Sequence, residues 1–248
     1  MRLLLINPNV TRAVTDRMAA EARMAASSGT EIVPITAAFG TEYIANRPEA
    51  VIGAHAVLDA IARHETGCDA VVIAAFGDPG LAAAREFASI PVFGLGESAM
   101  LVAWTLCRRF SIICLSTRLR RWYIECAEEV GLAGRLASVR GLDVPIPDIT
   151  RAKEQFQDQL IAACHAAVQQ DGAEAVIFGG GPIAGLAREV AGEVPVPTLD
   201  GVACAVRMAE AVAGLRPRKP SAGSFARPAP KPAQGLAPEL MRRITGQG

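Results

Sequence analysis

Short apolar runs and longer amphipathic stretches alternate along almost the whole chain. The short runs, rich in Leu, Ile and Val, predict strands at Leu3 to Ile6, Glu31 to Ile35, Ala70 to Ala74, Val92 to Gly94, Phe110 to Leu115, Ser138 to Gly141, Ala175 to Phe178 and Val196 to Leu199. Between them, apolar positions recur at helical spacing in Thr11 to Ala26, Pro48 to Arg63, Gly80 to Ala88, Glu97 to Cys107, Thr117 to Val130, Ile149 to Gln170, Gly185 to Ala191 and Val202 to Ala213. A strand followed by a longer helix is the βαβ signature, since a parallel neighbour needs a crossover connection. The predicted class is therefore α/β with parallel sheets. Helix-start residues agree: Asn9 or Thr11, Glu97, and Ser116 or Thr117 each fall just after a strand, at the sheet edge where ligands bind.

The pattern also repeats with a period of roughly one hundred residues. Arg2 to Asn9 (RLLLINPN) aligns with Arg109 to Ser116 (RFSIICLS), Ala70 to Leu81 with Ala175 to Leu186, and Ile90 to Leu95 (IPVFGL) with Val194 to Leu199 (VPVPTL). Matches in the same order imply two similar α/β halves, residues 1–105 and 106–215, related by a pseudo-twofold axis with a cleft between them. From Arg216 the composition shifts to Pro, Gly, Ser and basic residues, so 216–248 is predicted to be an extended tail with a short helix-like stretch at Leu236 to Ile244. It is expected to pack along the body or a neighbouring subunit, with a mobile lid as the alternative.

Composition narrows the functional classes. With 51% hydrophobic and 20% charged residues in 248, the chain can bury a large core, which excludes disorder for most of its length. Lys plus Arg and Asp plus Glu are both 25, so no basic field exists to attract nucleic acid or an anionic membrane, and a small molecule is the expected partner. The opening Leu3 to Ile6 is too short for a signal-peptide core, and no apolar run reaches the ~18 residues of a membrane span, so a cytoplasmic protein is expected. Cys68, Cys107, Cys114, Cys126, Cys164 and Cys204 form neither a C-x-x-C pair nor a cluster with His, which points away from metal and disulfide frameworks.

Four motifs carry a resemblance: Ile6-Asn7-Pro8-Asn9, then Val72 to Leu81 (VIAAFGDPGL), then Gly94-Leu95-Gly96-Glu97, and finally Phe178-Gly179-Gly180-Gly181-Pro182. In order and over nearly the whole chain these resemble the aspartate/glutamate/hydantoin racemase family, hydantoin and allantoin racemases in particular. The tail segment Arg218 to Phe225 is similar to some of their C-termini. The resemblance implies cofactor-independent inversion at a carbon next to a carbonyl or carboxylate, with a small-molecule carboxylate or cyclic amide as substrate and a homo-oligomer as the assembly. It also implies two catalytic cysteines facing each other across the cleft, which fits the repeat because two-base inversion needs acid/base groups on both faces of a planar intermediate. At the matching positions stand Ala75 and Gly180. A methyl group and a hydrogen carry no proton, so the two-thiol mechanism does not transfer.

Other residues are candidates to fill or line the site. Asp78 and Cys114 are possible substitute acid/base groups, although a turn or helix-capping role competes for Asp78 and a core role for Cys114. Asn7 and Asn9 resemble the family's first substrate contacts. Backbone N–H groups of the turns at Phe76-Gly77 and Gly181-Pro182 can cradle an anionic group, and Ser116 and Thr117 can donate from hydroxyls. Tyr43 and Arg47 lie in the loop after the second strand, where either could bind a carboxylate. An inverting enzyme is the leading reading. A decarboxylase using the same cleft and a catalytically silent metabolite-binding protein are the alternatives.

Overall fold

A computed structural model describes residues 1–246, so the last two residues of the predicted tail lie outside the described part. The first half runs β1 (Arg2–Asn7), α1 (Arg12–Ala25), β2 (Glu31–Thr36), α2 (Arg47–His64), β3 (Ala70–Ile73), α3 (Leu81–Phe87), β4 (Val92–Gly94) and α4 (Leu95–Leu106). The second runs β5 (Phe110–Cys114), α5 (Arg120–Glu129), β6 (Leu136–Gly141), α6 (Ala152–Asp171), β7 (Ala175–Gly179), α7 (Leu186–Glu189), β8 (Thr198–Asp200) and α8 (Gly201–Gly214), and α9 (Pro238–Thr245) lies in the tail. Each half forms one four-stranded sheet, ordered β2-β1-β3-β4 and β6-β5-β7-β8, parallel throughout. The identical order confirms the repeat as two copies of one α/β topology.

Strand alternation divides the core. Leu3 and Leu5 of β1, Val72 of β3, Phe110 and Ile112 of β5 and Ile177 of β7 face inward, into a single apolar cluster shared by both sheets and by α1, α4, α5 and α8. Leu4, Ile6, Val71 and Ile73 face the other way, under α2 and α3. Ile113, Val176 and Phe178 do the same under α6 and α7. α4 packs on β7 as well as on its own β4, and α8 packs on β3 and β4 as well as on β7 and β8. The two halves therefore share one interior, with α4 and α8 against each other between the sheets.

The structure corrects the third repeat match by two residues. The carbonyl of Pro91 accepts the Val71 N–H, and that of Pro197 accepts the Val176 N–H, each at 2.9 Å. Pro91 is thus the counterpart of Pro197, not Pro195. The Val-Pro-Val-Pro spelling of the second half offered both alignments, and ladder bonding decides between them. The last strand accordingly starts at Thr198 rather than Val196, and Gly94, paired with Ile73, corresponds to Asp200, paired with Phe178.

Helix starts also differ from the sequence expectation. Ser116 and Asp148 accept from the N–H two residues on, Arg118 (3.3 Å) and Thr150 (2.9 Å), and this tightens the first turns into 3-10 geometry at Thr117–Leu119 and Ile149–Arg151. The helix predicted over Gly185 to Ala191 is a single turn, and α4 begins directly at the end of β4.

The tail packs on its own chain. Leu240 of α9 is buried, and Arg243 pairs with Glu65, donates to the Phe87 carbonyl (3.1 Å) and lies 4.6 Å from the Phe87 ring centre. Lys219 donates to the carbonyl of Glu86 (2.9 Å) and to that of Arg85, at the C-terminal end of α3 where a cation is favoured. These contacts strap 216–246 over α2 and α3. No helix among the described residues is long and apolar enough to cross a membrane.

Candidate functional site

The C-terminal ends of β3 and β7 turn toward each other, and a cavity of about 30 Å³ lies between the two turns. Ala74, Ala75 and Phe76 supply one wall, and Gly180, Gly181 and Pro182 the opposite one. Asn9 and Val14 close it from the start of α1, Tyr43 and Ile44 from the loop after β2, and Tyr123 from α5. The chain has two tyrosines, and both line this cavity.

Its lining is mostly apolar, with Tyr43, Tyr123 and Asn9 as the side chains that can donate. Asn9 Oδ1 accepts from Asn7 Nδ2 and the Thr11 N–H, each at 3.0 Å, which leaves its Nδ2 without a protein acceptor among the described residues. Burial pushes both phenol pKa values up, with lesser contributions from the neighbouring Cys114 and other acidic groups. The phenols stay protonated at neutral pH and act as donors, not bases. Among the described residues, the N–H groups of Phe76, Gly77, Gly180 and Gly181 also find no protein acceptor. A planar group carrying negative oxygen is what such an array can stabilise.

Ala75 and Gly180 both belong to this lining. A Cβ built on Gly180 would have its nearest neighbours at 3.8 and 3.9 Å, so space exists there, although the φ of 145° favours glycine. Among the described residues, no carboxylate, histidine or cysteine lines the cavity. The proposed substitutes lie elsewhere. Cys114 is fully buried, its thiol directed to the carbonyls of Ser116 (3.4 Å) and Arg140 (3.6 Å), and burial pushes its pKa up to about 12. Asp78 lies behind the first turn, where its carboxylate accepts the N–H groups of Gly96 (2.9 Å) and Glu97 (2.7 Å) at the start of α4.

The remaining candidates divide in the same way. Asn7 is fully buried and consumed in structure, donating to Asn9 Oδ1, the Thr11 carbonyl (3.3 Å) and Thr15 Oγ1 (2.9 Å). Arg47 bonds Glu125 of α5 across the mouth of an outer groove, and Gly77 lies beneath Trp122 in that groove. Ser116 caps the following turn and Thr117 is exposed. Tyr123 escaped the sequence reading because an aromatic on the buried face of a helix looks like core. Its signal was scarcity, since so few phenols are available to an apolar chain.

Comparison with known proteins places this geometry in context. A family model described as Asp/Glu/Hydantoin racemase matches residues 3–209. The chain is 32% identical over 233 residues to a hydantoin racemase of Paenarthrobacter aurescens, covering 93% of this chain and 99% of that one. The solved allantoin racemase from Klebsiella pneumoniae superposes with a TM-score of 0.92 at 34% identity, covering 97% of this chain and 98% of that one. Arylmalonate decarboxylase, at a TM-score of 0.60, 15% identity and 86% and 93% coverage of the two chains, shares the fold alone.

Proposed function

Because the chain belongs to the Asp/Glu/hydantoin racemase family, we propose that it inverts the carbon beside a carbonyl of a small cyclic amide of hydantoin or allantoin type, and does so without thiols. The observation that supports this reading is a cavity between the two strand-end turns that gathers both phenols, the Asn9 amide and the turn N–H groups. In the proposed step the C–H proton passes to water and its electron pair moves onto the carbonyl oxygen. Tyr43, Tyr123 and the backbone N–H groups of the turns then hold the enolate oxygen, in the way preorganised donors stabilise developing charge. A second water reprotonates the carbon from the opposite face, and the hydroxide it leaves neutralises the hydronium formed in the first transfer, which completes inversion. Ala75 and Gly180, small on both faces, leave room for that water.

A cavity of about 30 Å³ holds a few waters at most and no five-membered ring. Substrate entry thus needs the walls to part, and the Tyr43-Ile44 loop, joined to α5 through the Arg47–Glu125 pair and to the start of α1 through the Thr41 and Glu42 carbonyls, is the wall we expect to move.

The deciding experiment incubates enantiopure 5-substituted hydantoins and allantoin with the protein in deuterated water, following deuterium at the ring carbon together with optical rotation. Catalysed exchange coupled to loss of rotation supports inversion. Binding seen as a raised melting temperature, without exchange, assigns the cavity to metabolite binding instead. The donor array also suits the enediolate left when a malonate-type acid loses carbon dioxide, so gas release from such acids would transfer the reading to decarboxylation.

A further inference from the structure

Gly94 and Asp200 occupy equivalent places at the ends of β4 and β8, yet only one has a side chain. A Cβ built on Gly94 would lie 2.2 Å from Cγ of Asp78. The carboxylate of Asp78 therefore fills the very space that a side chain on Gly94 would enter. In the second half Asp200 reaches that space from the strand itself. Its Oδ1 accepts the N–H groups of Val202 (2.8 Å) and Ala203 (3.3 Å) at the start of α8, and its Oδ2 accepts the Gly185 N–H (2.7 Å).

Both halves thus join the same three parts: a cavity turn, a carboxylate and the first turn of the helix between the sheets. Only the covalent attachment differs. In the first half the carboxylate belongs to the cavity turn and binds the helix by hydrogen bonds, from a residue held at the left-handed φ of 48°. In the second it belongs to the strand leading into the helix and binds the turn through Gly185.

We propose that Asp78 and Asp200 are positioning residues, each a pin that holds a donor-bearing turn of the cavity against the N-terminus of α4 or α8. The role rests on the proposed use of the cavity only where activity is concerned; the pinning itself needs no substrate. It explains why a turn accepts backbone strain at a non-glycine residue, since the side chain is required at that place. It also explains why β4 ends in glycine. Two carboxylates cannot occupy one space.

The swap between halves supplies its own test. Trp122 lies against Gly77 of the pinned turn, its ring 2.7 Å from a Cβ built there, so its emission reports the turn once the exposed Trp104 is replaced by Phe. In that background, three further variants are compared: Asp78→Gly, Gly94→Asp, and both together. Amide hydrogen exchange of residues 75–80 is expected to speed up at least tenfold in Asp78→Gly, with a red shift of Trp122 emission. Gly94→Asp alone should disturb the turn as well. The double variant, which transfers the first half to the second half's arrangement, should return both signals to within about twofold of the parent. Asp78→Asn keeps the shape and one acceptor and should give an intermediate loosening, which covers the case in which the glycine variant does not fold. On ring-carbon exchange the single variants should lower kcat with KM little changed, and the double should recover it. Unchanged amide exchange in Asp78→Gly and Asp78→Asn, or no recovery in a folded double variant, would overturn the proposal. A parent protein inactive on every ring would sink the proposed function and leave the pinning result standing.

Discussion

The turn Ala75-Phe76-Gly77 of the first half and Gly180-Gly181-Pro182 of the second follow equivalent strands, yet bulk is distributed in opposite ways around them. In the first, Phe76 projects from the turn and its ring meets Tyr123 of α5, with centres 4.8 Å apart. In the second, Gly181 leaves a gap that Val14 and Met18 of α1 fill. Each turn packs on the opening helix of the other half, and volume removed from one partner is returned by the other. The backbone is pseudo-symmetric and the chemistry is not. The α5 side brings the Tyr123 phenol and the α1 side brings the Val14 methyls and the Asn9 amide, so the two faces of a bound ring meet different surroundings.

That asymmetry can be broken from either side. The largest expected effect is on rate: Tyr123→Phe removes a donor while keeping the ring against Phe76, and ring-carbon exchange should fall by about 10²–10³, the usual cost of one oxyanion donor. Tyr43→Phe should act in the same direction, and both should leave the urea midpoint nearly unchanged. If the two substitutions are without effect on exchange, the donors are not used.

Next comes stability. Asp200→Ala strands three N–H groups and should cost about 3 kcal/mol in urea denaturation, against about 2 kcal/mol for Asp78→Ala, which strands two. Both carboxyls are raised by burial, partly offset by those N–H bonds, from 3.8 to about 7 for Asp78 and to about 6 for Asp200. Glu97 raises the first further and Arg85 opposes it, while Glu21 raises the second. A raised carboxyl favours the folded state most when protonated. Its contribution is complete below about 3.8 and is lost as pH rises through the folded value. Wild type should therefore lose stability relative to Asp78→Asn as pH climbs toward 7 and hold level above it, with the plateau near 6 for the comparison with Asp200→Asn. Identical pH curves for wild type and variants would contradict the assignment.

A smaller effect is expected from packing. Gly181→Ala would place a Cβ 2.5 Å from Met18 Sδ, and because a methionine can move, the cost should be about 1 kcal/mol. In a double-mutant cycle, Gly181→Ala should cost less in a Met18→Ala background than in the wild type. Smallest of all is Arg47→Ala. The Arg47–Glu125 pair is exposed, so the urea midpoint should stay where it is, while substrate entry, read as the association rate by stopped flow, should become faster and lose its salt dependence.

Much of the architecture could be read before any coordinates, because strand and helix periods are written in the apolar pattern. Leu3 to Ile6 and Ala70 to Ile73 could hardly be anything but buried parallel strands. What resisted was local choice between equal spellings, as with Pro195 and Pro197, where only the hydrogen-bond ladder discriminates. The lining of the candidate cavity was legible where position alone defines it: Ala75, Gly180, Phe76, Gly181 and Pro182 follow the strand ends, and Asn9 and Tyr43 the neighbouring loops. It was illegible where side chains compete for partners. Asn7 and Asn9 have the same spelling and lie two apart, yet Thr11 and Thr15 absorb the first and leave the second an amide to spare. Asp78 could be read as a base or as a helix-capping carboxylate, and the fold decides for the second through the two N–H groups at the start of α4.

The helices between the sheets make each half depend on the other for its folding. A chain cut between Leu106 and Phe110 would separate each inner sheet face from a helix that covers it, since α4 lies on β7 and α8 on β3. Cut there, the first fragment would bare Val72 and the second Ile177, so the two are expected to fold only together.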